Sequence, residues 1–483
     1  MTPLHPSRLP TVPQILLLAL MIIGVIFMFV HILGLAIQLA LLVSWFLVMG
    51  LGKILKLDYH TMQQGLTHGI SQGMDAILVL IAVGALIGSW MAGGVVPNII
   101  YLGLSVMSPH IFLLAAFFVC MVTSLATGTS FGTAGTAGIA MMGIGAGFDL
   151  PAPLVAGAVI SGAYVGDKLS PLSDTTVMTA SLCKVNIIDH IKSMLYVSVP
   201  AITIAGLLFL VVGLSYGQSG NVSRAQDVMH ALSQHYVIAW YMLLPAAAVI
   251  ALLLLRLPSV PVISFGALLG VIWACVFEQM SPIAAFATLY QGNHVQSDLN
   301  FLNILLNRGG IASMLEVILL VMLALGLGGL MEVTGVLTTI SNGLQRWAHS
   351  LGRLGLSTLF AGFLGNFLGG AAYVSLITAS TITGKNYDEL GVDRRVLSRN
   401  TEAGGTITTP MIPWTDGGVF MATTLGVSTA AYLPFLWYHM LVLLISALYC
   451  YTGWFCFQRQ GVMKTSAPSS AESSASSSIL EAD

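Results

Sequence analysis

The feature that most constrains this chain is a series of long apolar runs that recurs from one end to the other. Most are close to the roughly 20 residues that an α-helix needs to cross a bilayer. Their apolar residues are continuous rather than alternating, which disfavours a β-barrel. They predict an all-α polytopic membrane protein with about 10–12 transmembrane helices, some of them short or interrupted. The runs lie near 14–32, 35–52, 74–93, 111–126, 153–165, 195–215, 236–255, 259–278, 312–331, 355–378, 417–427 and 431–455.

The scarcity of charge makes the same point. Hydrophobic residues form 56% of the chain and charged residues only 7%, whereas soluble domains carry about 25% charged residues. A surface with so few charges must face lipid, which excludes a soluble enzyme, a nucleic-acid-binding protein and a disordered protein. The net charge of −2 gives no basic patch for a polyanion. We therefore expect the chain to lie in a lipid bilayer and to bind no nucleic acid.

The N-terminus and the cysteines add two further limits. The apolar stretch at 13–51 is far longer than the roughly 7–15 residues of a cleavable signal's apolar region, so it predicts two membrane helices. The five cysteines include no C-x-x-C pair, which argues against a disulfide framework or a zinc site. We expect no cofactor.

Polar segments divide the chain into four parts. Residues 217–235 form a polar connector between a first transmembrane repeat, 1–216, and a second, 236–460. Residues 384–402 have the densest charge and read as another connector. The Ser/Ala-rich residues 461–483 predict a disordered tail.

The two halves resemble each other in sequence. Four residue pairs separated by 241 positions align them, and six residues from 166 align with six from 405 at a separation of 239. Each match is weak alone, but they occur in the same order. Duplicated halves with interrupted helices are typical of secondary transporters. The four pairs are Asp75 with Glu316, Gly88 with Gly329, Gly94 with Gly335, and Gly128 with Gly369.

A first polar segment, 124–138, consists almost entirely of glycine, alanine, serine and threonine. Such a composition suits either tight helix–helix packing or unwound backbone that lines a wet cavity. In the second case Thr129 and Ser130 are candidate oxygen ligands for a cation.

A second polar segment, 162–176, places two carboxylates, Asp167 and Asp174, seven residues apart around a helix-breaking proline. Hard cations such as Na⁺ prefer oxygen donors, so these carboxylates with Ser170 and Ser173 form a suitable set. Lys168 could neutralise Asp167 when no cation is bound. The alternative is an ordinary interfacial loop with a salt bridge.

A third polar segment lies in the second half and contributes four candidates: Asn366, Glu402, Thr409 and Asp416. We expect Asp416 to face the same cavity as Asp167 or Asp174. Asp75 and Glu316 stand near the starts of matching helices, where an acid either favours the helix N-terminus or takes part in a proton relay.

The runs at 128–147 and 154–176, together with 371–377, 397–406 and 410–414, closely resemble the NhaC family of Na⁺/H⁺ antiporters, which includes malate/lactate exchangers. The most specific part is G-D-K-L-S-P-L-S-D-T-T (166–176). The resemblance implies a multi-pass transporter of the bacterial inner membrane that has two inverted repeats. It also implies that the protein exchanges sodium for protons and serves pH homeostasis. Asp416 departs from the family's pattern at this point, which puts the choice of solute in doubt.

A buried carboxylate is costly while charged, and either a proton or Na⁺ removes that cost. We therefore hypothesise that Asp167 and Asp174 bind Na⁺ and H⁺ competitively, with Asp416 contributing from the other half, in an exchanger that works by alternating access. The main rival is coupled exchange or symport of an organic acid, such as malate or lactate, or of an amino acid. An intramembrane hydrolase and a channel are less favoured alternatives, and a homodimer stays open.

Overall fold

The computed structural model describes residues 9–217, 222–255, 257–294, 307 and 309–457, and within them it contains helices and no β-strand. The tail at 461–483 lies outside the described residues. Longer helices alternate with short ones along both halves of the chain. Their bounds are Val12–Phe27, Ile37–Ile54, Tyr59–Gln72, Met74–Ala92, Val95–Val106, Phe112–Thr127, Ser130–Thr133, Ile139–Gly147, Ala152–Leu169, Asp174–Leu182, Ile187–Gly217, Val222–His235, Leu244–Leu254, Ser259–Val276, Pro282–Gln291, Ile311–Val333, Val336–Trp347, Leu351–Gly369, Ala372–Glu389, Arg394–Gly404, Asp416–Leu425, Thr429–Tyr432 and Trp437–Thr452.

Six of these helices are long and apolar enough to span a membrane on their own. Three further helix pairs pass the same test together but bend by 42°, 93° and 89° at a short break, and three more apolar helices are shorter. The predicted all-α polytopic membrane protein with broken helices is confirmed. The total of about 10–12 spans and the inverted relation of the halves stay predictions, as does the division at 216 and 236.

The structure corrects two sequence-based boundaries and adds a helix to a third segment. The apolar run at 355–378 is two helices, because Gly370 adopts a left-handed φ of +70° between them. The connector at 217–235 contains the helix Val222–His235. Residues 396–402 do not form a polar connector, because they lie in the helix Arg394–Gly404 and are buried.

Glycines at equivalent places turn the chain in both halves. Gly94 and Gly335 have φ values of +71° and +75°, and each immediately precedes a short helix. Gly128 and Gly370, with φ of +73° and +70°, break the chain before the next helix in each half. A left-handed φ strains residues with a Cβ, so glycine is favoured at these turns. The structural partner of Gly128 is therefore Gly370 rather than Gly369.

The same one-residue shift continues through the later polar segments. Ser173 and Thr415 cap the helices that begin at Asp174 and Asp416, each through a side-chain oxygen that accepts from a backbone amide. These residues, and Pro171 with Pro413 before them, are all separated by 242 positions. The sequence alignment of 166–171 with 405–410 used a separation of 239. The helix starts that follow are instead equivalent at a separation of 242.

Two glycines set how closely the helix bearing Asp167 approaches its neighbour. A Cβ on Gly162 would lie 2.2 Å from the Phe117 carbonyl oxygen, and one on Gly166 would lie 2.3 Å from the Leu125 nitrogen. The helices Phe112–Thr127 and Ala152–Leu169 therefore pack backbone against backbone, as small residues allow in membranes. This contact brings Asp167 beside the break at Gly128.

Candidate functional site

A cavity of about 280 Å³ lies where the broken helices of both halves meet. It combines several carboxylates and one ammonium group with hydroxyl groups, unlike the apolar surface around it. Its lining comprises Gly73, Asp75, Val79, Thr129, Ser130, Phe131, Tyr164, Asp167, Lys168, Asp174, Thr175, Pro258, Ser259, Val260, Ala372, Tyr373, Thr406, Thr409 and Asp416. We refer to it as the central cavity.

Ten of the lining residues form five pairs whose numbers differ by 242, so the two halves contribute equivalent positions to one chamber. A duplicated chain that folds the same way twice would produce this arrangement, and chance similarity between apolar helices would not. The pairs are Ser130 with Ala372, Phe131 with Tyr373, Tyr164 with Thr406, Asp167 with Thr409, and Asp174 with Asp416.

Asp174 and Asp416 each occupy the first position of a helix that follows a break. The Asp416 carboxylate accepts hydrogen bonds from the backbone amides of Ala372 (3.2 Å) and Gly417 (2.6 Å). The Asp174 carboxylate accepts from the Thr175 amide (2.8 Å) and from the Tyr373 hydroxyl. Helix N-termini carry partial positive charge, so both carboxylates sit where an anion is favoured.

Asp167 differs from these two because its main partner is a charged side chain. Its Oδ2 atom is 3.1 Å from the Lys168 ammonium nitrogen. Its Oδ1 atom is buried and has no hydrogen-bond partner among the described residues. A buried carboxylate oxygen left unpaired is costly, and a cation or a proton at this position would remove that cost.

Lys168 joins the central cavity to a second buried acid. Its ammonium nitrogen lies 3.1 Å from Glu402 Oε1 and donates to the Thr175 hydroxyl at 2.7 Å. Glu402 is fully buried behind the cavity rather than in its lining. Lys168 thus stands between two carboxylates, Asp167 on the cavity side and Glu402 on the far side.

The hydroxyl groups around the cavity play different parts. Thr129 caps the short helix at Ser130 through its side-chain oxygen, which accepts from the Gly132 amide at 3.3 Å. The Tyr164 hydroxyl is 2.9 Å from the Thr409 hydroxyl, and this contact joins the two halves. Ser130 also faces the cavity. These hydroxyl oxygens lie at the cavity beside the carboxylates, although those of Thr129 and Thr409 already make hydrogen bonds within the protein.

Five of the sequence-derived candidates lie outside the cavity lining. Ser170 donates to the Leu125 carbonyl at 3.0 Å, and Ser173 caps the Asp174 helix. Asn366 donates to the Gly405 carbonyl at 2.6 Å and to the Thr408 hydroxyl at 2.8 Å. Glu316 is exposed on the outer face of its helix. Glu402 retains a link to the cavity through Lys168. Ser173 retains one as well, because its hydroxyl lies 3.1 Å from the Thr175 hydroxyl and interacts with the Asp167 carboxylate. Asp75 lies in the lining itself.

Sequence reasoning missed Tyr164, Tyr373, Thr406 and His190. The separation of 242 pairs Tyr164 with Thr406 and Phe131 with Tyr373, but none of these four was a candidate, so the repeat alone did not identify them. His190 is fully buried, with its Nε2 atom 4.0 Å from Glu402 Oε2, and no local motif marks it. Three or more Asp, Glu, His or Cys side chains do not converge on a metal-like position anywhere in the described part of the chain, so a Na⁺ site at Asp167 and Asp174 stays a prediction.

Comparison with known proteins identifies the family. The profile of the Na⁺/H⁺ antiporter family matches residues 4–192 and 162–454. This chain belongs to that family. The family is one of antiporters rather than enzymes, which agrees with the expectation from composition, and the resemblance to NhaC proteins is confirmed.

Three relatives within this similarity differ in the solutes that their names record. The malate-2H⁺/Na⁺-lactate antiporter of Bacillus subtilis (strain 168) is 50% identical over 449 residues, which cover 93% of this chain and 96% of that protein. The Na⁺/H⁺ antiporter NhaC of Alkalihalophilus pseudofirmus is 36% identical, covering 83% and 87%. The arginine/ornithine antiporter ArcD of Halobacterium salinarum is 34% identical, covering 81% of each chain. Relatives of this chain are therefore named for several different solutes.

Proposed function

We propose that this antiporter exchanges Na⁺ for H⁺ across the cytoplasmic membrane by alternating access, with its ion site in the central cavity. The observation that carries the proposal is the unpaired, buried Oδ1 of Asp167 at the cavity wall. Asp174 and Asp416 line the same chamber and interact electrostatically with each other, and Asp174 also interacts with Asp167. Na⁺ and H⁺ each neutralise such a carboxylate, so they compete for it.

Lys168 supplies the third competitor. In the structure its ammonium group occupies one oxygen of Asp167, while Glu402 offers it a second carboxylate at the same distance. A cation that arrives at Asp167 repels the ammonium group toward Glu402. The Lys168 ammonium group thus balances Asp167 while the site holds no ion, and it balances Glu402 once Na⁺ is bound.

The broken helices supply the structural basis for opening the cavity to either face. The breaks at Gly128 and Gly370 lie beside the site in both halves, and duplicated halves with discontinuous helices are the usual framework for alternating access. The proposed site is complete within one chain and does not require a second copy. A homodimer therefore stays a prediction from the sequence.

The proposal is tested in proteoliposomes by following internal pH after Na⁺ is added outside. The wild-type protein should move protons out as Na⁺ enters. Asp167→Asn should abolish this movement, because an amide cannot exchange a proton for Na⁺. Glu316→Gln is the matched control, since Glu316 is an exposed acid away from the cavity, and it should exchange normally. Unchanged proton movement by Asp167→Asn would remove Asp167 from the ion site.

A second candidate is Na⁺- and H⁺-coupled exchange of a small hydroxycarboxylate such as malate or lactate. The volume of the cavity favours it: about 280 Å³ is several times the roughly 30 Å³ of one water molecule, more than a single bare cation needs. Lys168 and the helix starts at Ser130 and Ala372 offer positive charge to a carboxylate. The relative at 50% identity is named for such an exchange.

The two candidates predict different solute dependence. Vesicles loaded with lactate should take up labelled malate only under the second candidate, and Na⁺ efflux should then require internal lactate. Proton movement driven by Na⁺ alone, unaffected by either acid, supports the first candidate. An amino acid is tested in the same way with arginine and ornithine.

A further inference from the structure

The buried charges do not end at the cavity. From Asp167 they continue through Lys168 to Glu402 and on to His190, with successive separations of 3.1, 3.1 and 4.0 Å. All four side chains are at least nine-tenths buried. Of the two acids, Asp167 lines the cavity and Glu402 does not. Competition between Na⁺ and H⁺ in the cavity therefore does not explain why Glu402 and His190 are buried beside Lys168.

His190 is unusual because a buried polar ring normally has partners. Both of its ring nitrogens lack a hydrogen bond among the described residues. The charged groups that face the ring are Glu402, from the helix Arg394–Gly404, and Lys168, from the helix Ala152–Leu169. Burial and the Lys168 ammonium group oppose a positive charge on this ring, whereas the Glu402 carboxylate favours one, so a proton here depends on where Lys168 lies.

Glu402 accepts hydrogen bonds on both carboxylate oxygens and has two basic side chains as neighbours. The hydroxyls of Thr179 and Thr406 both donate to its carboxylate, the latter at 2.5 Å. The remaining neighbours are the Lys168 ammonium group on one side and the His190 ring on the other. Glu402 therefore pairs with whichever of the two is positively charged and close.

Residues next to His190 in the chain line a surface cleft. His190 lies in the first turn of the helix Ile187–Gly217, and its backbone amide donates to the Asn186 carbonyl at 2.9 Å. Asn186 and Asp189 line a surface cleft of about 730 Å³, together with residues 184–185, 388 and 391–395. The cleft shares no lining residue with the central cavity.

We propose that Glu402 and His190 form a second proton-binding site, separate from the cavity carboxylates, which exchanges its proton with solvent at the cleft and is coupled to Na⁺ by movement of the Lys168 ammonium group. The inference rests on the proposed Na⁺/H⁺ exchange. With Asp167 free of Na⁺, Lys168 is shared with Asp167, and Glu402 with His190 binds one proton. When Na⁺ reaches Asp167, Lys168 moves to Glu402, and the proton leaves from His190.

The charges balance at each stage. Before Na⁺ arrives, the ionised Asp167 and Glu402 are matched by the Lys168 ammonium and a protonated His190. Afterwards the same two carboxylates are matched by Lys168 and Na⁺, and His190 is neutral. One proton has been released in place of one Na⁺ by a group that never touches the cation. At lower pH, where Asp167 itself carries a proton before Na⁺ arrives, Na⁺ displaces that proton as well, so the two releases add.

The test measures protons moved per Na⁺ in proteoliposomes, with a pH dye inside the vesicles and ²²Na⁺ outside. His190→Gln should lower this ratio by one relative to the wild type, and ²²Na⁺/Na⁺ counterflow, which needs no proton, should persist. His439→Gln is the matched control. His439 is also fully buried with both ring nitrogens unpartnered, but it packs on the rings of Tyr164 and Tyr438 rather than beside a carboxylate. The His439→Gln variant should therefore move the same number of protons per Na⁺ as the wild type.

Each outcome decides the matter. An unchanged ratio in His190→Gln overturns the second proton site, and so does loss of counterflow, because the site is separate from the Na⁺ ligands. His190→Asn, with a smaller amide, gives an independent reading if His190→Gln is not recovered as folded protein. Failure of the proposed function looks different: the wild-type protein itself would then show no Na⁺-dependent proton movement.

Discussion

Asp174 and Asp416 occupy the same position in the two halves of the chain, each as the first residue of a helix that follows a break, and both line one cavity. Their environments nevertheless differ. Backbone amides of two different helices bind Asp416, whereas Asp174 accepts from its neighbour's amide and from the hydroxyl of Tyr373 in the opposite half. The equivalent position has thus been adapted to two uses.

We expect substitutions at this pair to separate function from stability. Asp174→Asn should abolish Na⁺-dependent proton movement in vesicles while the protein keeps its thermal stability. Asp416→Asn should also lower the melting temperature, because its amide group cannot accept from both the Ala372 and Gly417 amides. Removing a charged acceptor from two buried donors costs about 1.5–3 kcal/mol. Thermal unfolding in detergent and vesicle transport check both parts, and equal melting temperatures would contradict the proposed role of Asp416.

Tyr373 should set the affinity for Na⁺. Tyr373→Phe removes the hydroxyl that donates to Asp174, so the ionised form of Asp174 loses a stabilising partner and Na⁺ competes less well with protons. A hydrogen bond to a charged group contributes about 1.5–3 kcal/mol, which corresponds to a rise of about tenfold or more in the Na⁺ concentration for half-maximal exchange. Tyr290→Phe, at an exposed tyrosine, is the control. If the two variants have the same Na⁺ dependence, the hydrogen bond is irrelevant to transport.

Lys168 should be needed for folding because its ammonium group is paired with two buried acids. Lys168→Met leaves Asp167 and Glu402 without a cation, and breaking a buried ion pair in this way costs about 3–5 kcal/mol. The double variant Lys168→Met with Glu402→Gln removes one charge of each sign and should recover much of that loss. Melting temperatures of the two variants in one detergent test this. A double variant no more stable than the single one would show that the Lys168–Glu402 pair is not the source of the loss.

The close approach of the helices Phe112–Thr127 and Ala152–Leu169 depends on Gly166. An added Cβ would lie 2.3 Å from a backbone nitrogen, so Gly166→Ala must push the helices apart, and overpacking of this kind costs about 1–3 kcal/mol. Gly50→Ala is the matched control, since Gly50 is also in a helix but has open space around its Cα. It should be neutral or stabilising. Thermal unfolding distinguishes the two, and equal stability would rule out the packing argument.

The architecture was accessible from the sequence because hydropathy depends on composition over many residues, and helices are the way a single apolar run satisfies its backbone in lipid. The break at Gly370 was missed within 355–378 because one glycine leaves an apolar run unchanged. The alignment of the halves was off by one residue at Gly128 for a related reason: apolar segments match almost equally well in neighbouring registers.

The placement of individual side chains was predictable only in part. Asp167, Asp174 and Asp416 meet at one cavity, as expected from polar breaks that face each other. Ser173 was predicted as a ligand, which stays a prediction, and the structure adds that it caps a helix, since the same small hydroxyl residues suit both tasks. Glu402 and Arg399 were placed in a connector because charge usually indicates solvent, whereas both are fully buried in the helix Arg394–Gly404. Pairing across distant elements, such as Lys168 with Glu402, leaves no trace in local sequence.

The most direct test of the central claim is equilibrium binding of ²²Na⁺ to the purified protein across a range of pH. If one carboxylate holds either ion, the apparent dissociation constant for Na⁺ should rise as pH falls, approaching tenfold for each pH unit, while the number of sites at saturation stays constant. Asp167→Asn should show no specific binding, and Glu316→Gln should match the wild type. Na⁺ affinity that does not change with pH, or that survives in Asp167→Asn, would contradict competition between Na⁺ and H⁺ at this residue.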